Sequence, residues 1–211
     1  MKNIVITIGR EYGSGGHEVG SRLAEALGVP FYDKELVDLA AEKSGMSPDF
    51  LKKTDEKTPG IFARTSIMPK GNAYGHMTPE DELYIQQTAI INELAEKGAC
   101  VFVGRCTDYI LRDRQNTLRI FIYAPLEDRI KRKLALGADG KTEKEVKKKI
   151  IATDKQREKY YNFYTAQKWG NSRNYDLCID TSKAGIDGSV DLIINFIYKI
   201  KNKGILPDER E

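Results

Sequence analysis

Short apolar runs rich in β-branched residues recur along the chain, at Ile4 to Ile8, Cys100 to Val103, Leu118 to Tyr123 and Leu177 to Asp180, with a weaker "VPFY" at 29 to 32. Continuous apolar runs of this length, without alternation, predict strands covered on both faces, as in a parallel sheet. Segments of helical period lie between them. "SRLAEALG" closes on Gly28, "PEDELYIQQTAIINELAEKG" opens with acids and closes on Gly98, and "VDLIINFIYKI" is the last patterned segment. Acids favour the positive end of a helix and glycine favours its left-handed cap, so both segments carry their own boundaries. The alternation predicts an α/β fold: a three-layer parallel sheet of about five strands with helices on both faces.

Two stretches do not fit that core. Residues 55 to 78, "DEKTPGIFARTSIMPKGNAYGHMT", hold turn-formers and His76 without a period, and read as a long surface excursion. Residues 137 to 174 are basic, rimmed by tyrosines, and predicted helical from 142 to 166.

Composition narrows the function classes. The 34 basic and 31 acidic residues leave a net charge of only +3, too balanced for a general nucleic-acid binder, and acids interleave the basic stretch at 129 to 159. The odd count of three cysteines, Cys100, Cys106 and Cys178, in mostly apolar segments predicts reduced thiols in a cytoplasm rather than a disulfide or zinc framework. The first strand begins too early for a signal peptide, and no apolar run approaches the roughly 20 residues of a membrane span.

The chemistry concentrates in "GREYGSGGHEVG", residues 9 to 20, between the first strand and the first helix. A glycine-rich turn leading into a helix N-terminus is an anion site, because its backbone N–H groups are unsatisfied and the helix dipole favours negative charge. In the phosphate-loop pattern G-x-x-x-x-G-K-[S/T], with Gly15 as the second glycine, Arg10 replaces the first glycine, Gly16 the lysine and His17 the hydroxyl residue. The competing dinucleotide pattern G-x-G-x-x-G is supplied by Gly13 and Gly15, with Asp33 for a ribose, but Glu18 stands at its third glycine. The longer phosphate loop with altered chemistry is favoured.

These features together resemble the P-loop nucleoside monophosphate kinases, and within them a divergent cytidylate kinase-like family with a "REYGSGG" loop. "ITIGREYGSGGHEVGSRLAEAL" is similar in length and phasing to the family's strand, loop and first helix, and "VFVGRCTDYIL" resembles its "GRD" segment. "FIYAPLEDRIKRKL" resembles the strand and helix that lead to the lid, Asp154 and Arg157 match the lid's D-x-x-R, and "YDLCIDTS" resembles the last strand. The loop lysine and hydroxyl residue are absent, Val103 stands where an acid precedes "GR", and no arginine follows Asp33. The resemblance implies one kinase-like domain over 1–211, with core segments 1–32, 79–136 and 175–203, an acceptor-side insert at 33–78 and a lid at 137–174. It also implies transfer of the γ-phosphate of ATP to CMP or dCMP with Mg2+.

Phosphoryl transfer needs two substrates in line and cations around the transferred group. Arg10, beside the glycine turn, is the candidate for the missing lysine's work, because a guanidinium grips phosphate oxygens bidentately; a surface arginine at a strand end is the plainer reading. The backbone of Gly13, Ser14, Gly15 and Gly16, with His17, forms the expected donor site for ATP phosphates, and Ser14 is equally a turn-former. Arg105 closes an apolar strand at the edge where α/β sheets bind ligands, and is a candidate for the acceptor phosphate, with a structural salt bridge as the plainer reading. Asp33 is a candidate for the acceptor sugar, for a metal-bound water, or for capping the helix that follows. Arg129, Arg132 and Arg157 are the named cations of the basic stretch, with Asp154 one turn before Arg157 and placed to orient it. Trp169 and its neighbouring tyrosines suit either base stacking or an apolar patch. No residue marks the metal's ligands. Two other functions stay open: nucleotide binding without transfer, and a dinucleotide-dependent oxidoreductase.

Overall fold

The computed structural model describes residues 3–44, 55–57, 78–137 and 142–203. The five expected strands form one parallel sheet: β1 (Val5–Arg10), β2 (Phe31–Tyr32), β3 (Cys100–Val103), β4 (Thr117–Tyr123) and β5 (Leu177–Asp180), in the order β2-β3-β1-β4-β5. Alternate residues of the central strand serve opposite faces. Ile4, Ile6 and Ile8 pack with Val19 and Leu23 of α1 (Gly16–Leu27) and with Val190, Ile193 and Ile197 of α7 (Thr181–Asn202). Val5 faces the other layer, with Leu36 and Val37 of α2 (Glu35–Ser44) and Leu83, Ile90 and Ile91 of α3 (Pro79–Glu96). Each fully buried aliphatic side chain in these layers contributes about 1.5–3 kcal/mol of burial free energy. A sheet with apolar residues on both faces has no solvated side, which is why its strands lack alternation.

The elements end where local chemistry stops them. Gly28 takes φ +64 at the end of α1, and Thr78 caps α3 by accepting from the Asp81 N–H at 3.2 Å. The long helix α6 (Glu143–Thr165) starts on a capping box of Thr142 and Glu145, as its predicted start at 142 requires. Helices α4 (Thr107–Ile110) and α5 (Leu126–Ala135) follow β3 and β4.

Three details differ from the hydrophobic pattern. β1 runs to Arg10, two residues past the apolar run, because Gly9 and Arg10 still pair with Phe121 and Ile122 of β4. α7 starts at Thr181, well before its apolar period, and is kinked at Gly185. The excursion at 55 to 78 is described only at 55–57 and 78, so His76 lies outside the described residues. Among the described residues no helix is long and apolar enough to cross a membrane.

Candidate phosphate and acceptor site

The loop after β1 is built as an anion cradle. Gly13 and Gly15 take φ +85 and +87, left-handed values that a side chain resists, and Gly15 is the N-cap of α1 without a side-chain cap. Among the described residues the amides of Gly13, Gly15, His17 and Glu18 have no hydrogen-bond acceptor, so they point donors and the helix dipole into one cleft. Ser14 does not join them through its side chain. Its buried hydroxyl sits 2.9 Å from the Glu11 carbonyl and 3.1 Å from that of Ile122, and accepts from the Gly16 N–H at 3.4 Å. The turn-former reading of Ser14 therefore describes its side chain, and Thr181 braces the turn by donating to the Ser14 carbonyl at 2.7 Å.

Arg10 explains two glycines. A β-carbon at Gly16 would lie 2.5 Å from Arg10 Cβ, and one at Gly104 would lie 2.0 Å from Arg10 Nη1. The arginine stem thus fills the space from which a lysine at position 16 would start, and its guanidinium lies flat against Gly104. It is not a surface residue: Arg10 is buried, with Nη1 donating to Glu56 Oε1 at 3.0 Å and Nη2 3.7 Å from Asp33 Oδ1.

At the ends of β3 and β2 lies a cluster of opposed charges. Gly104, Arg105 and Cys106 take φ +82, +52 and +57 in succession, a left-handed turn that costs about 1 kcal/mol per non-glycine residue. It folds Arg105 back under the sheet edge, where the side chain is almost fully buried. Arg105 donates from Nη1 to Asp33 Oδ1 at 2.7 Å, and from Nε and Nη2 to the two Asp55 oxygens at 3.1 and 2.8 Å. Arg157 donates from Nε to Glu56 Oε2 at 3.2 Å and from Nη1 to the Arg10 carbonyl at 3.2 Å. Burial alone would raise the Glu56 carboxyl, but Arg10 and Arg157 outweigh it and hold it at about 2. The Asp33 carboxyl is likewise held well below the usual range: burial opposes this, and the His17 hydrogen bond with the charges of Arg10 and Arg105 prevails. His17 Nδ1 lies 2.8 Å from Asp33 Oδ2, with the ring half out in the cleft and edge-on to Phe31. The Asp33 carboxylate therefore binds side chains across the site, while its backbone meets the start of α2: the N–H donates to Glu35 Oε2 at 2.9 Å and the carbonyl accepts from Leu36 N–H at 3.3 Å.

Arg129 and Asp154 take a different place from the one expected. Neither lines the cleft; they clamp the loop from behind. Tyr12 N–H donates to Asp154 Oδ1 at 2.7 Å, Arg129 donates to the other Asp154 oxygen, and Arg129 Nη1 also donates to the Tyr12 carbonyl at 3.3 Å. Asp154 thus orients the loop and Arg129, while Glu56 orients Arg157. Arg132 does reach the cleft, where it pairs with Glu18.

Two cavities share a wall. The outer one, of about 350 Å³, is lined by the glycine loop, His17, Asp33, Lys34, Arg132 and Lys133. The inner one, of about 20 Å³, is lined by Arg105, Cys106, Asp108, Tyr160, Tyr161 and Trp169. Arg10 and Arg157 line both. Trp169 and the tyrosines pack as an aromatic group on Cys106 and wall the inner cavity. Asp108 there is pushed up by burial, although the Tyr161 hydroxyl donates to it at 2.7 Å. Among the described residues no three His, Cys, Asp or Glu side chains converge to hold a metal ion.

Sequence reasoning missed Asp55, Glu56 and Asp108. The first two sit in a stretch without period, where only the pairing of three arginines with a single Asp33 hinted that further acids were needed. Asp108 carries a weaker signal, an acid inside the otherwise apolar "TDYIL".

A model of the cytidylate kinase-like family matches residues 5–183. A cytidylate kinase of Methanopyrus kandleri is 26% identical over 200 residues, covering 90% of this chain and 91% of that protein. The crystal structure of an uncharacterized protein from Eubacterium ventriosum is similar at 34% identity and a TM-score of 0.70, over 92% of this chain and 98% of that one. A shikimate kinase from Bacteroides thetaiotaomicron has the same fold at 15% identity and a TM-score of 0.55, over 92% of this chain and 98% of that one.

Proposed function

The chain belongs to the cytidylate kinase-like family, and from that premise we propose that it transfers the γ-phosphate of ATP to a nucleoside monophosphate, CMP or dCMP. The observation that carries the proposal is the shared wall: a cradle of free amides on one side, the arginine of the strand end on the other, and Arg10 with Arg157 between them. The cradle amides, with Arg132 and Lys133, fit the phosphates of ATP. Arg105 takes the acceptor phosphate, and Arg10 and Arg157 face the transferred group from the partition, where two guanidinium groups offset the charge spread over its oxygens. Asp33 joins the two sides, lining the donor cleft with His17 while bonded to Arg105, and the segment expected as a lid contributes Arg157 from α6.

Mg2+ bound to the phosphate oxygens would supply further charge neutralisation. The loop offers it no hydroxyl, since Ser14 is turned inward and His17 stands in the usual position. The metal would be held by phosphates and water, a mode its reluctance to dehydrate allows. Nucleotide binding without transfer is the second reading, favoured by the acids that already occupy the arginines.

A coupled assay with ATP, Mg2+ and a panel of monophosphates separates the two. Turnover is expected with CMP or dCMP above the other acceptors. Measurable ATP binding with no turnover on any acceptor would sink the kinase and leave the binding protein.

A further inference from the structure

Three guanidinium groups and three carboxylates share the centre of the site: Arg10, Arg105 and Arg157 against Asp33, Asp55 and Glu56. As it stands the cluster is neutral. A dianionic phosphomonoester entering it would leave two uncompensated negative charges in a buried place, which a low-dielectric interior does not tolerate. The acids are not equivalent. Asp33 follows β2 directly and is tied to His17 as well as to Arg105. Asp55 and Glu56 belong to the segment between α2 and α3, and are held by side-chain partners: Arg105 and Gln87 on Asp55, Arg10 and Arg157 on Glu56, and Gln156 on the Glu56 carbonyl. Glu56 also takes φ +54, a left-handed backbone that a glutamate adopts only when its surroundings impose it.

Resting on the kinase reading of this site, we propose that Asp55 and Glu56 are internal stand-ins for the acceptor phosphate, and that their displacement makes the site selective for a dianionic phosphomonoester. If both acids leave, three positive charges face Asp33 alone and the cluster carries a net charge of two, which matches the dianion. A neutral or singly charged acceptor gives no such match, and the acids hold the arginines against it. Glu56 lies against both Arg10 and Arg157, so its departure opens their guanidinium groups to the acceptor phosphate, from which they also reach the group transferred to it. Asp55 leaves Arg105 with its bidentate fork open.

The test is binding, kept apart from turnover. Isothermal titration of inorganic phosphate and of CMP into the intact chain compares wild type with Glu56→Gln and with the double variant Asp55→Asn and Glu56→Gln. The expected result is binding at least about tenfold tighter in the double variant, a change of about 1.4 kcal/mol, and an intermediate gain in the single one. Unchanged or weaker binding would mean that the acids merely position the arginines, and overturns the proposal. If the double variant fails to fold, the isosteric Glu56→Gln decides alone. Amide exchange of the wild-type segment around residues 55–57 gives a second readout. Saturating CMP raises it if the acids are expelled; slower exchange overturns the proposal. Tighter phosphate binding without ATP-driven turnover would keep this inference and sink the kinase, whereas turnover with unchanged phosphate affinity would do the reverse.

Discussion

A β-carbon at residue 16 and the stem of Arg10 claim the same space, so the lysine loop and the arginine loop are alternatives at the level of single atoms. Gly16→Lys alone is expected to cost about 1–3 kcal/mol, as overpacking does. Combining it with Arg10→Gly should recover most of that loss and restore ATP affinity. Urea unfolding and nucleotide titration check both points, and a double variant no better than the single one would refute the compensation. Arg105 was legible as a residue of the candidate site because a strand end marks it. Arg10 was legible as the candidate cation only by the lysine missing at position 16; the glycine at 104 that gives it room carries no signal in sequence, since nothing in a lone "GR" shows which side chain crosses it.

The element that organises the site is α6. Its first turns pack Val146 and Ile150 against Ile130 of α5, and its last turns pack Tyr160 and Tyr161 on Cys106, beside α4. Between these anchors Asp154 and Arg157 reach the loop and the partition. Asp154→Asn should therefore loosen the loop from a distance: the Arg129 charge loses the nearer of its two carboxylates and keeps only Glu11 at 3.5 Å, at a cost of about 2 kcal/mol, and the KM for ATP rises while the helix itself persists. Unchanged stability with an unchanged KM would remove the clamp from the account. The helix was readable from its capping box and period. Its contacts were not, because the D-x-x-R spacing puts both side chains on one face without saying that one turns to the loop backbone and the other to Glu56. All five strands were readable, since two-sided burial of the central ones leaves apolar runs; β1 outran its run, where pairing continues through Gly9 and Arg10, β4 starts one residue early at Thr117, and β2 keeps only Phe31–Tyr32 of its stretch.

Taken whole, the molecule stores paired charge at the carboxyl edge of its sheet, and that shapes its response to acid. Asp33 and Glu56 titrate lower in the folded chain than in the unfolded one, so the unfolded state binds more protons as pH falls, and stability falls with it. The contribution is complete above the unfolded carboxylate range of about 4 to 4.5 and is lost towards the folded value of about 2 for Glu56. Urea midpoints followed across that window should drop steeply in wild type and less steeply in Glu56→Gln; parallel curves would show that Glu56 is not linked to folding.

The packing of Arg10 over two glycines also bears on descent. A lineage that carries Arg10 gains a side chain at 16 only by crowding the arginine stem, and one at 104 only by pushing its guanidinium aside. Passage between the two loop chemistries runs through an intermediate that is either crowded, with both cations, or without a cation, so single substitutions cross between the two forms at the expense of packing or of the loop's charge.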